Sequence, residues 1–327
     1  MDEAAAKFSA IVSEYFAPDS QWKSMVSDAI AEFPSVKLFR FVAEANEKPT
    51  GIYEAEFSLF IQGFGNPELY HNVSSALLKQ IQPRVKNGSI SLLDIGPGDG
   101  KVLFSVFSWL DCPRIHVDLV EPSNFLSSCI ELLQTLGFVE GKQDSSPRTY
   151  SCFPITAQTF LKQKDSDISW NVIQSTFALH NLSPTERKTV YSRLLRSTEV
   201  LLLAEFDIPI RKAPTYVIEG ERLPCIDKNF AKLVLDRYER AIQLWEDTGG
   251  FSFGTPTEKK ERSRVVLHGF LIPIMLGYFA TKQKNVTYEA PMIDWIKEIE
   301  DLGFHISGSI VHEYWWADCF MLVVSSD

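Results

Sequence analysis

The sequence predicts a doubly wound α/β protein on a mainly parallel, seven-stranded sheet whose final strand runs antiparallel. Three observations carry that expectation. Strand-like runs at 90–95, 115–120, 149–153, 170–175 and 199–205 alternate with helical stretches at 101–110, 123–136, 157–163 and 184–196, a rhythm that implies right-handed βαβ crossovers. The runs WNVIQS and VLLLAEF are almost continuously apolar, as strands covered on both faces should be. A glycine-rich turn, Gly96-Pro97-Gly98-Asp99-Gly100, joins the first strand to the first crossover helix.

Ahead of the sheet, residues 5–16 and 22–32 have helical apolar spacing, punctuated by Pro18 and Pro34. The loop GFGNPE at 63–68 leads into a helix whose apolar face is Val73, Leu77, Leu78 and Ile81. After Phe206 the alternation stops. Ile226 to Glu246 reads as a helix with Phe230, Leu233, Val234, Ala241, Ile242 and Trp245 on one side, and Val265 to Ala280 as a buried helix. Pro291 then opens a helix that Gly303 closes, and strands near 304–313 and 317–324 finish the chain. The short gap between those strands demands antiparallel pairing. The expected organisation is a helical N-terminal cap or lid (1–74), a core (75–210), a helical insertion covering the substrate pocket (211–290), and a closing helix and hairpin (291–327).

Composition narrows the function. The chain has 327 residues, of which 45% are hydrophobic, enough for a packed core. With 42 acidic against 32 basic residues its formal charge is −10, a field that repels phosphate backbones and anionic membranes. No apolar stretch reaches the length of a bilayer span, and the opening MDEAAAKFSA is acidic where a signal peptide is basic. Cys112, Cys129, Cys152, Cys225 and Cys319 are scattered, without a CxxC pair, which argues for a reducing compartment and against a metal site. The expectation is a cytoplasmic protein acting on a small molecule, with neither nucleic acid nor membrane as partner and its oligomeric state open. The sequons at Asn72, Asn87, Asn181 and Asn285 are taken as chance.

The chemistry lies in Leu92-Leu93-Asp94-Ile95-Gly96-Pro97-Gly98-Asp99-Gly100. Glycines at alternate positions after a buried strand allow a sharp turn and close approach of a ligand to the main chain. Their GxGxG spacing differs from the GxGxxG of pyrophosphate sites, disfavouring a nicotinamide dehydrogenase and favouring a nucleoside with a short side chain. The next strand ends in Val120-Glu121-Pro122-Ser123, which puts an acid where ribose hydroxyls are chelated in such folds.

At these residues the chain resembles class I S-adenosylmethionine-dependent methyltransferases, closely over about 75–206 and in pattern over 290–327. The resemblance implies a Rossmann-like core and S-adenosyl-L-methionine as cofactor. Gly96, Pro97 and Gly98 would approach the methionine moiety, with Asp94 ordering the loop. Glu121, with Pro122 and Ser123, would hold the ribose, and Thr156 and Ala157 would flank the adenine. Ser175 and Thr176, at the end of the fourth strand, complete the cofactor set. The segment ALHNL that follows looks like small-molecule methyltransferases and lacks the [ND]-P-P-[YF] of enzymes that modify nucleic-acid amino groups.

A narrower likeness is to histamine N-methyltransferase and its relatives, through Tyr53-x-x-x-Phe57-x-x-Phe60 and Glu68 ahead of the glycine loop. It implies an aromatic pocket containing an acid, suited to a small amine or heterocycle. The substrate candidates are Tyr53, Phe57, Phe177, Tyr314 and Trp316, with Phe60 and Trp315 completing a wall. The candidate bases are His180, whose ordinary pKa suits proton transfer near neutrality, and Glu68. An O-methyltransferase acting on a carboxylate or hydroxyl, and a non-catalytic cofactor-binding protein, are the alternatives.

Overall fold

A computed structural model describes residues 2–15, 21–47, 53–143, 145–163, 168–208, 228–272 and 288–325. Cys225, Asn285, and residues 211–227 and 273–287 of the expected insertion lie outside them. The chain divides into two compact units, residues 1–67 with 210–286 and residues 68–209 with 287–327.

The first unit is helical. Its elements are α1 (Asp2–Tyr15), α2 (Trp22–Glu32), α3 (Leu38–Glu47) and α4 (Tyr53–Phe60) from the N-terminal part of the chain. Two long helices come from later in the sequence; they are numbered α10 (Lys228–Thr248) and α11 (Pro256–Val266). α1 packs on α10 and α2, burying Phe8 and Ile11 of α1 and Val234, Leu235 and Ile242 of α10. Thr255 starts α11 with a reciprocal capping box to Glu258, and the chain continues from it as a π-helical turn at Leu267–Leu271. The sequence had suggested one helix from Val265 onward. Its described part, residues 265–272, is helical and largely buried, and it forms the end of α11 and this π-helical turn. Both α3 and α4 are additions to the expected helices.

The second unit holds the sheet. Its strands are β1 (Ser89–Ile95), β2 (Arg114–Val120), β3 (Val139–Glu140), β4 (Arg148–Phe153), β5 (Trp170–Thr176), β6 (Thr198–Phe206), β7 (His305–Glu313) and β8 (Asp318–Ser325). They lie in the order β3-β4-β2-β1-β5-β6-β8-β7. β1 to β6 are parallel, whereas β8 is antiparallel to both β6 and β7. This is the Rossmann-like, doubly wound arrangement with a reversed closing strand. The expected count of seven is corrected to eight: β3 is a two-residue edge strand, too short to show periodicity, and both its residues are exposed.

The helices of this unit are α5 (Asn66–Ile81), α6 (Lys101–Trp109), α7 (Phe125–Thr135), α8 (Ala157–Gln163), α9 (Pro184–Leu194) and α12 (Met292–Glu300). One sheet face, with Leu93, Ile95, Val120 and Ile173, is buried together with Phe160 of α8, Tyr191 and Leu194 of α9, and Trp295 and Ile299 of α12. Through this core runs one full ion pair. Arg187 is fully buried and donates from Nε to Glu298 Oε2 (2.8 Å) and from Nη2 to Glu298 Oε1 (2.6 Å), with its guanidinium 4.1 Å from the Trp295 ring centroid. No described helix is long and apolar enough to cross a membrane.

Candidate functional site

Parallel order reverses on either side of β1, so the crevice outside the carboxyl ends of β1, β2 and β5 is where a ligand binds in an open sheet of this type. Gly96 and Gly98 follow β1 with φ of 74° and 55°, the left-handed region that favours glycine. Their reasons differ. A Cβ on Gly96 would lie 2.3 Å from Ala178 Cβ, so the turn packs against the chain leaving β5; a Cβ on Gly98 would meet nothing within 4 Å. Gly98 therefore borders open space.

Glu121 closes this loop onto the next one. Its Oε2 accepts the Gly98 N–H at 3.2 Å and its Oε1 the Ser123 N–H at 2.8 Å, and the residue is only 8% exposed. A carboxylate has about four acceptor positions, so two remain for donors such as a pair of adjacent hydroxyls. The rest of the turn is held by its own backbone: Gly96 N–H donates to Val120 O and Gly100 N–H to Pro97 O. Ser123 and Pro122 are exposed at its outer side.

Asp94, expected to order the loop, makes no hydrogen bond to the loop's amides among the described residues. The fold turns it instead toward β5, where its Oδ2 accepts from Gln174 Nε2 at 2.7 Å. The remaining oxygens, Asp94 Oδ1 and Gln174 Oε1, are buried without partners among the described residues. Burial pushes the Asp94 carboxyl up to about 7; the Gln174 hydrogen bond opposes this and the charge of Glu121 adds to it. An unfolded chain releases this proton near the ordinary aspartate value, so between about pH 4 and pH 7 the fold loses stability as pH rises, by about 4 kcal/mol in all. Asp94→Asn removes that penalty and offers an N–H to Gln174 Oε1. Its melting temperature is expected to exceed wild type at pH 8 and to converge with it near pH 4; equal melting at both values would refute this account of Asp94.

The end of β5 is tied to β1 through Ser175, whose hydroxyl donates to Ile95 O at 2.8 Å; Thr176 beside it is 9% exposed. Phe177 follows with φ 52°, an unfavourable conformation for a bulky residue. It is held there by its N–H bond to Ala204 O and by stacking on Phe206 at 4.7 Å. Phe206 in turn stacks on Tyr314 (5.7 Å), Tyr314 meets Trp315 (5.3 Å), and Trp316 adjoins Trp315. The predicted Phe177, Tyr314 and Trp316 thus belong to one aromatic row, linked by Phe206, which the sequence reading did not single out.

His180 lies just beyond. Its Nδ1 is 3.0 Å from Oε2 of Glu205, which is 2% exposed, while Glu205 Oε1 accepts the backbone N–H groups of Leu179 and His180. Burial lowers the imidazole pKa, but the charge and hydrogen bond of Glu205 outweigh it, and the net shift is upward from 6.5. Arg187 braces the same segment, donating from Nη1 to Leu182 O and Tyr288 O, and the Tyr288 N–H reaches His180 O at 2.6 Å. Glu205, Gln174 and Arg187 were all missed at the level of sequence.

Thr156 accepts the Thr159 N–H and so caps α8, with Ala157 buried behind it. Glu68 is exposed in the first turn of α5, where an acid complements the helix dipole. In the helical unit, Tyr53 opens α4, and Phe57 packs on Phe60 and Phe270.

Neither a protein-family model nor a curated protein matches the sequence. Several solved structures resemble it. Magnesium protoporphyrin IX methyltransferase from Synechocystis PCC 6803, with bound S-adenosylhomocysteine, is 11% identical with a TM-score of 0.42, over 92% of this chain and 100% of that one. A cyclopropane synthase from Mycobacterium tuberculosis is 12% identical (TM-score 0.43; 77% and 83%). A possible exported protein from Bordetella parapertussis is 9% identical (TM-score 0.47; 99% and 96%). These likenesses are distant, and the chemistry of the site follows from its own atoms.

Proposed function

We propose that the chain is an S-adenosylmethionine-dependent methyltransferase that methylates a nitrogen of a small amine or heterocycle. The observation that carries this reading is the Glu121 carboxylate, held by the amides of Gly98 and Ser123 beside the open space at Gly98. That donor set fits an adenosyl group: Glu121 would take the ribose hydroxyls, the backbone at Gly96–Gly98 would face the methionine moiety, Ser175 and Thr176 would border it, and Thr156 and Ala157 would flank the base. S-adenosylmethionine supplies an electrophilic methyl group when bound.

The remaining work belongs to the chain's own side chains. A nitrogen nucleophile must be neutral to attack and must surrender a proton. His180 is the acceptor, with Glu205 fixing its ring through Nδ1 so that Nε2 is the basic atom. The row of Phe177, Phe206 and Tyr314 excludes water and stabilises cationic character on the nitrogen. Glu68 is assigned to the amine by the likeness to histamine N-methyltransferase, and Trp316 joins it as a wall residue.

Because the His180 pKa is raised, the activity is expected to climb with pH and to level off above 6.5. Glu205→Gln keeps an oxygen for the Leu179 and His180 amides but removes the charge that raises the imidazole. The rising limb should then move to lower pH while the plateau falls. An unmoved limb would remove Glu205 from this role, and undiminished turnover by His180→Ala would remove His180. Incubating the chain with methyl-labelled cofactor and a metabolite extract identifies the acceptor. A base-labile product is an ester and contradicts nitrogen; for a stable product the chemical shift of the new methyl group separates nitrogen from an ether oxygen, and an ether contradicts the reading.

A further inference from the structure

The face of the sheet opposite Asp94 changes character along its strands. Register places Ser91 beside His116 and Asp118 beside Ser151, with Val120 beside Phe153, and paired residues share a face. Toward the glycine loop that face is packed core, at Leu93, Ile95 and Val120. Toward the other end it is polar, and a cavity of about 490 Å³ opens over it, within the size range of small-molecule sites.

The floor of this cavity is built. His116 Nδ1 is 2.8 Å from Thr149 Oγ1 and its Nε2 is 3.2 Å from Asp118 Oδ1, while Trp170 Nε1 donates to Asp118 Oδ2 at 2.9 Å. Exposure is 8% for His116, 6% for Asp118 and 4% for Trp170. Ser91 is 7% exposed, and its hydroxyl has no hydrogen-bond partner among the described residues. One wall is aromatic: Phe153 meets Phe160 edge-on at 4.8 Å, and Phe160 lies 6.3 Å from Trp170. A void left by imperfect packing is apolar and stays dry. Here the strand face instead carries an oriented His–Asp pair and, in Ser91, a hydroxyl that is open to the cavity.

We infer that this cavity is a second small-molecule site, separate from the crevice at Gly98 and independent of the function assigned to it. Its ligand is a planar aromatic compound with one N–H or O–H. The ring lies along Phe153, Phe160 and Trp170, and the polar edge meets Ser91 and the His116–Asp118 pair.

Calorimetric titration of the full chain with indole and with naphthol, alone and with saturating S-adenosylhomocysteine, tests this. Saturable one-to-one binding that S-adenosylhomocysteine does not displace is expected. Ser151→Trp fills the cavity from β4 and should weaken binding by about tenfold or more. Gln163→Trp acts from the exposed end of α8 without disturbing the sheet and should do the same, which covers a failure of the first variant to fold. The inference is overturned if neither probe saturates, if S-adenosylhomocysteine competes with them, or if Gln163→Trp binds them as wild type does.

Discussion

Glu121→Ala is expected to weaken S-adenosylhomocysteine binding by about a hundredfold or more while leaving the chain folded. Two charge-assisted hydrogen bonds to ligand hydroxyls contribute about 1.5–3 kcal/mol each, and each 1.4 kcal/mol is a factor of ten in affinity. The variant also frees the amides of Gly98 and Ser123, so the loop itself loses its anchor. Gly98→Val should reproduce the binding loss by a different route. Its side chain enters the open space beside the loop, and the folding cost is confined to a left-handed backbone, about 1–3 kcal/mol. Gly96→Val is the contrast: its Cβ would collide with Ala178 and should damage folding first. Calorimetric titration and thermal melting of the three variants separate these outcomes. Wild-type affinity in Glu121→Ala would place the ligand elsewhere.

Arg187→Ala should produce the largest loss of stability. It leaves Glu298 buried without its bidentate partner, a change that costs about 3–5 kcal/mol in comparable pairs, or roughly 10 °C in melting temperature for a unit of this size. It also removes the donors to Leu182 O and Tyr288 O, which frame His180. The double replacement Arg187→Met with Glu298→Leu tests these roles separately. Matching apolar side chains should restore most of the melting temperature, but the segment carrying His180 stays unbraced and turnover should remain low. Recovery of both would show that Arg187 serves stability alone.

Buried parallel strands such as β1, β5 and β6 announce themselves as apolar runs, the remaining strands follow from the alternation and the closing gap, and β1, β2 and β4–β8 fall within a residue or two of their expected bounds. β3 escaped because two exposed residues carry no pattern. α3 and α4 escaped because both are short: they span ten and eight residues, barely two to three turns each. The glycine loop and Glu121 were legible as a pair because each follows directly on a strand, and the pairing of β1 with β2 brings Glu121 to the Gly98 amide. Partners were not. Gln174 meets Asp94 only through the pairing of β5 with β1, and Glu205 meets His180 only because β6 lies beside β5 and the turn that follows it. Arg187 carried no clue, since an arginine in a polar, exposed-looking helix sequence gives no sign that it will be fully buried.

Titrating S-adenosylhomocysteine into the unmodified, folded chain tests the central claim most directly. A single saturable site with an affinity in roughly the micromolar range is the expected result. A flat titration with protein whose melting is cooperative would contradict it.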